Sequence, residues 1–139
     1  MKRSLPIVFM LAFLACVLFA GSCAQQSSTQ GGPKQVVLNM LETVKKNDYN
    51  AVYDMLSSKD KKQISRQDWV TGNEQAPASV AAGNKNLTWK VTGEKINGKE
   101  AVVSVTLSQG SQSEVVTFGL VKEGNDWKVS LETSGNTTQ

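Results

Sequence analysis

The chain has 139 residues, with 15 Lys and Arg against 12 Asp and Glu, no His and two Cys. That length suits one domain, not two. So small a basic excess gives little to release counterions from a nucleic acid, and a chain without His has no His-based relay and none of the usual zinc sites. No nucleic-acid partner, metal or other cofactor is expected. The first element in chain order is a targeting segment. Lys2 and Arg3 precede an apolar run from Leu5 to Ala20, and the small residues Ala20, Gly21 and Ser22 lead to Cys23. This is the charged, apolar and small-residue succession of a secretory signal, expected over 1–22. As a helix the run reaches about 24 Å, short of the roughly 30 Å hydrocarbon core of a bilayer. Loss of Lys2 and Arg3 with the signal leaves a mature chain close to neutral.

Ala20-Gly21-Ser22-Cys23 resembles the lipobox of bacterial lipoproteins, departing from it at Ala20, where that family most often has Leu. The resemblance implies cleavage before Cys23 and a diacylglycerol on its thiol, anchoring the chain to a membrane of the bacterial cell envelope with its domain outside the cytoplasm. Cysteine usage agrees: after cleavage Cys23 has no partner for a disulfide. Ala24 to Gly32 (AQQSSTQGG) holds no charge and no large apolar side chain, so 23–32 reads as a lipidated Cys followed by a flexible tether.

Pro33 opens a helical pattern with Val37, Met40, Leu41 and Val44 on one face and Asn47 as its stop. Asp48 is placed to cap a second helix whose apolar face is Tyr49, Val52, Tyr53 and Leu56. Ser57-Ser58 ends it and leads into a short charged turn through Lys59-Asp60-Lys61-Lys62. Ser65 to Asp68 approximates a capping box and starts a third short helix carrying Trp69 and Val70. The stretch 73–86 has no decisive period and reads as a loop with at most one helical turn.

From Leu87 the period becomes two. Leu87, Trp89 and Val91 alternate with polar residues, and Asn97-Gly98 signals a hairpin. Ala101, Val103, Val105 and Leu107 line one face of the returning strand. Gln109-Gly110-Ser111 turns into a third strand, with Val116, Phe118 and Leu120 on one face and Val115, Thr117 and Val121 on the other. Gly124-Asn125-Asp126 turns into Trp127, Val129 and Leu131, and 134–139 reads as a frayed tail. The expected fold is α+β: N-terminal helices packed on a mostly antiparallel four-stranded sheet, one domain over 33–133.

Two segments carry a further resemblance. Pro33 to Val37, Lys45-Lys46-Asn47-Asp48-Tyr49 and Asp54 to Ser57 resemble the helical opening of small bacterial lipoproteins of unknown function with a nuclear-transport-factor-2-like, or lumazine-binding-like, cone. Glu123 to Ser130 resembles their closing hairpin, in which a Trp-Lys-Val strand ends the sheet. The resemblance implies a curved sheet wrapped around helices with a conical cavity, a frame that hosts isomerases, dehydratases, ligand binders and interaction modules alike.

Enzymes of that superfamily place an acid or base in the cone, and Tyr49, Tyr53 and Asp54 are the nearest by type. Tyr49 and Tyr53 stack four residues apart, but neither forms a recognisable catalytic pair with Asp54, and core packing accounts for both rings. Asp68 reads as a helix-start residue. Tyr49, Tyr53, Trp69, Trp89, Phe118 and Trp127 are the candidate lining of an apolar ligand pocket, set against plain core packing. Lys59, Lys61 and Lys62 form a basic cluster suited to anionic headgroups or an acidic partner, set against a solvated helix surface. Val102, Val115 and Val121 make the outer sheet face partly apolar, which favours a homodimer. The sequence therefore points to a lipid-anchored envelope protein that binds a small molecule or a protein without catalysis. The alternatives are an isomerase or dehydratase and a structural module dimerising through its sheet.

Overall fold

Short polar side chains start three of the helices. The computed structural model describes residues 31–136; the expected signal peptide, Cys23 and the tether up to Gln30 lie outside the described residues, as do 137–139. Helix α1 (Pro33–Lys45) begins on its proline and buries Val36, Val37 and Leu41. It stops where Asn47 turns left-handed (φ 57°), a conformation Asn tolerates better than most residues. Asp48 then caps α2 (Tyr49–Met55), accepting from the Ala51 N–H at 3.0 Å. Ser57 caps α3 (Ser58–Gln63) through the Asp60 N–H, and Ser65 caps α4 (Arg66–Glu74) through that of Asp68.

Two expectations need correction. The charged stretch after Ser58 is a six-residue helix, not a turn. The stretch 73–86, read as a loop, holds the end of α4 and a further helix, α5 (Ala78–Lys85). Helix α5 buries no residue and has no side-chain cap, so it leaves no apolar stripe in the sequence.

The strands follow as a meander: β1 (Leu87–Asn97), β2 (Glu100–Gln109), β3 (Gln112–Glu123) and β4 (Asp126–Asn136), antiparallel and in the order β1-β2-β3-β4. All three connections are two-residue turns beginning on glycine: Gly98, Gly110 and Gly124 have φ of 61°, 62° and 62°. This is the positive φ that tight hairpins demand at their first central position. The first turn is Gly98-Lys99, one residue later than Asn97-Gly98, because Asn97 already pairs with Glu100. Strand β4 continues through Asn136, three residues into the stretch read as a frayed tail, with Gly135 paired to Thr117 and Asn136 to Val116.

One face of the sheet meets the helices. Ala101, Val103, Val105, Phe118, Leu120, Trp127 and Val129 pack with Val36, Val37, Leu41, Tyr53 and Leu56 in a single core. Each fully buried Val or Leu is worth about 1.5–3 kcal/mol of apolar transfer. Leu56 forms a parallel bridge to Val129, and the Ser57 N–H donates to the Val129 carbonyl at 2.8 Å, joining the end of α2 to the sheet's edge. The architecture is α+β: among the described residues five helices, where three are expected, precede a curved, unclosed antiparallel sheet, and the order of helices then strands is the one expected from the change of period. Val102 and Val115 stand exposed on the outer face.

Two breaks in register shape the inner face. Between Val91 and Gly93 the β1 pairing skips a residue, so Glu94 pairs with inward-facing Val103. Between β3 and β4 it jumps from Gly119↔Ser130 to Thr117↔Gly135, which leaves 131–134 to span a single β3 residue.

Candidate functional site

A cavity of about 240 Å³ lies among α1, α2, α4, α5 and the irregular part of β4. Met40 and Val44 of α1, Tyr49 and Val52 of α2, and Leu56 just after it form one side. Trp69 and Asn73 of α4, Ala76, and Val80 and Asn84 of α5 form the other, and Leu131 of β4 completes it. Val80 and Leu131 are 45% and 39% exposed, so the cavity opens to solvent at an apolar rim. Among the described residues that line it, none is charged.

Its walls are fixed by hydrogen bonds between helices. The Trp69 indole Nε1 donates to the Tyr49 carbonyl at 3.1 Å and holds α4 against α2. The Tyr49 hydroxyl donates to Asn47 Oδ1 at 3.1 Å. Asn84 Nδ2 donates to the same oxygen at 2.9 Å, and Asn47 Nδ2 donates to the Ala81 carbonyl at 3.3 Å. Asn47, the stop of α1, thereby holds α5, a helix with no buried face of its own.

The six aromatics read as a pocket separate into three groups. Tyr49 and Trp69 line the cavity. Tyr53, Phe118 and Trp127 are each only 7% exposed and fill the core. Trp89 borders a different, shallow cleft of about 220 Å³ beside Glu42 and Lys45, with the Lys45 ammonium 5.5 Å from its ring centre. Face alternation identified inward side chains, but whether a helix covers them depends on how far each helix reaches across the sheet. Sequence reading missed Asn73, Val80 and Asn84 because all three fall in the stretch read as a loop.

The residues weighed for acid–base work do not converge on the cavity; Tyr53 and Asp54 meet at Arg66, outside its lining. The Tyr53 hydroxyl donates to the Ile64 carbonyl at 3.0 Å, and its ring lies 4.6 Å from the Arg66 guanidinium. Asp54 is exposed and paired with Arg66, whose hydrogen bond holds its carboxyl below the usual range. Asp68 accepts from its own cap, the Ser65 hydroxyl, at 2.6 Å.

The basic cluster is largely engaged within the chain. Lys59 pairs with Glu132 at 2.5 Å. Lys61 donates to the Asp54 carbonyl at the end of α2 at 3.0 Å, where a cation suits the helix dipole. Partial burial, then repulsion from Lys128, pushes the Lys61 ammonium below its ordinary value.

A wider concavity of about 560 Å³ lies at the β2–β3 turn. Apart from half-buried Leu107, the residues that line it are exposed, so it is a surface hollow. Among the described residues no cluster suits a metal ion, and no helix is long and apolar enough to cross a membrane.

With this geometry in place, comparison with known proteins gives a likeness of fold. A candidate NTF2-like transpeptidase from Campylobacter jejuni superposes with a TM-score of 0.57 at 17% identity, over 73% of this chain and 99% of that one. The fold is NTF2-like. A SEC-C motif containing protein from Rhodopseudomonas palustris gives 0.54 at 11% identity, over 76% and 79%. An NTF2-like protein of unknown function from Cytophaga hutchinsonii gives 0.44 at 6% identity, over 74% and 88%. No protein-family model and no curated protein matches the sequence. Fold at these identities says nothing of chemistry.

Proposed function

We propose that this NTF2-like domain is a small-molecule-binding module of a lipid-anchored bacterial envelope protein, acting without catalysis. The observation that carries the binding reading is the 240 Å³ cavity, walled mainly by apolar side chains with Asn73, Asn84 and Tyr49 as its polar groups. An apolar cleft with a few polar anchors is the general form of a ligand site. A non-catalytic role is supported by the engagement of these side chains elsewhere: Tyr49 bonds Asn47, Tyr53 bonds the Ile64 carbonyl in the core, and Asp54 pairs with Arg66 outside the cavity. The anchor rests on the signal-like N-terminus and on Cys23 in its lipobox-like setting.

Native mass spectrometry of the protein released from its host's membranes tests both parts. The expected mass is that of the chain from Cys23 plus a covalent lipid, with a further small mass that leaves on denaturation. A chain still carrying residues 1–22 removes the lipoprotein reading, and a bare monomer removes the ligand. A bare dimer, with Val102 and Val115 exposed at 39% and 38%, transfers the function to the outer sheet face.

A further inference from the structure

The polar groups around the cavity are unevenly engaged, and this limits what can enter. The Trp69 indole N–H goes to the Tyr49 carbonyl, and the Tyr49 hydroxyl hydrogen goes to Asn47. Asn84 Nδ2 serves Asn47 Oδ1 at 2.9 Å and the Tyr49 hydroxyl at 3.4 Å, which occupies both of its hydrogens. Asn73 Nδ2 gives one hydrogen to the Trp69 carbonyl at 2.7 Å. The protein thus consumes nearly all the donors, and the amide oxygens of Asn73 and Asn84 keep accepting capacity.

With no charged side chain on the described lining, a carboxylate or ammonium would enter without a counter-charge, which is costly. Size sets the other limit. A dry apolar cavity of about 150 Å³ accommodates benzene, so 240 Å³ takes a substituted ring or a compact pair of fused rings.

We infer that the cavity selects an uncharged one- or two-ring molecule carrying a hydroxyl or amino hydrogen-bond donor, received by the amide oxygen of Asn84 or Asn73. This rests on the cavity being a binding site, and the test separates the two claims. The ¹⁵N-labelled full-length protein, in detergent, is titrated with 4-ethylphenol, ethylbenzene and 4-ethylbenzoate. The Trp69 indole N–H resonance is the reporter, and that of Trp89, outside the cavity, is the control for detergent partition.

A saturable shift at Trp69 is expected with 4-ethylphenol, at an apparent Kd at least about tenfold below the other two. Asn84→Leu should erase most of that preference while ethylbenzene binding persists. Should that variant fail to fold, Asn73→Leu, which removes one local hydrogen bond, is the substitute. Equal binding of ethylbenzene, or tighter binding of the benzoate, overturns the donor inference and leaves the cavity a binding site. No saturable shift at Trp69 with any of the three overturns the binding reading itself.

Discussion

Gly119 decides how the edge of the sheet is built. A Cβ at this position would lie 1.7 Å from Thr133 Oγ1 and 2.8 Å from the Thr133 backbone carbon, so even alanine collides with main chain. The bare backbone lets β4 fold against β3 where the register jumps. The Gly119 N–H is satisfied there by Ser134 Oγ at 3.0 Å, which in turn donates to the Ser130 carbonyl at 2.6 Å. Leu131, which helps wall the cavity, belongs to the same irregular segment. Gly119→Ala should therefore lower stability by about 1–3 kcal/mol, the usual cost of overpacking, read as a reduced urea midpoint. Adding Thr133→Gly should restore part of the loss, because it clears the side-chain clash and leaves the backbone contact. Wild-type stability in Gly119→Ala would show that this segment is free to move away.

At the scale of elements, α1 starts on Pro33 as the sequence indicates, but without a side-chain cap of its own. Its N-cap is Gly32, with no side-chain bond, and its first turn has no acidic residue. The acceptor comes from the sheet: Glu94 Oε1 receives the Lys34 N–H at 2.9 Å. Simple alternation from Val91 would have sent Glu94 outward, and the bulge ending at Gly93 turns it toward α1. Glu94→Ala should cost about 0.5–2 kcal/mol, as loss of a cap does. Glu94→Gln keeps an acceptor and should lose only the charge–dipole part, about 0.3–1 kcal/mol. Equal urea midpoints for wild type and Glu94→Ala would remove this role. The contrast with the other helices shows what local sequence can carry. Asp48 and Ser65 cap within three residues of themselves, so the starts of α2 and α4 were legible, as were the strands from their period of two, whereas Ser57 caps a six-residue helix that reads as a turn. The cap on α1 spans sixty residues, and α5 is held by Asn47 rather than by an apolar stripe, so neither leaves a local signature.

Over the whole molecule, three carboxylates tie the helices to one another and to the sheet, and together they set the response to acid. Asp54 is held below its ordinary pKa first by the hydrogen bond from Arg66, joining α2 to α4. For Glu123, burial pushes upward, but the Ser58 hydroxyl and N–H, both at 2.7 Å, with Lys128 and Lys61, outweigh it and join the β3–β4 turn to α3. Glu132 is lowered by Lys59 and then Gln63, joining β4 to α3. In each case the folded chain binds its proton less readily than the unfolded one. The stabilisation is therefore complete above the ordinary carboxylate pKa of about 4 and disappears as pH falls through the lower folded values. With no His in the chain, no imidazole adds a transition between pH 5 and 8. The urea midpoint should be nearly level from pH 8 to 5 and fall below about pH 4. The fall should be modest, because exposed pairs are individually weak. Glu123→Gln should flatten it, since the amide keeps an acceptor for Ser58 but no longer titrates. A midpoint that rises on acidification would mean that these carboxylates are not what joins the two layers.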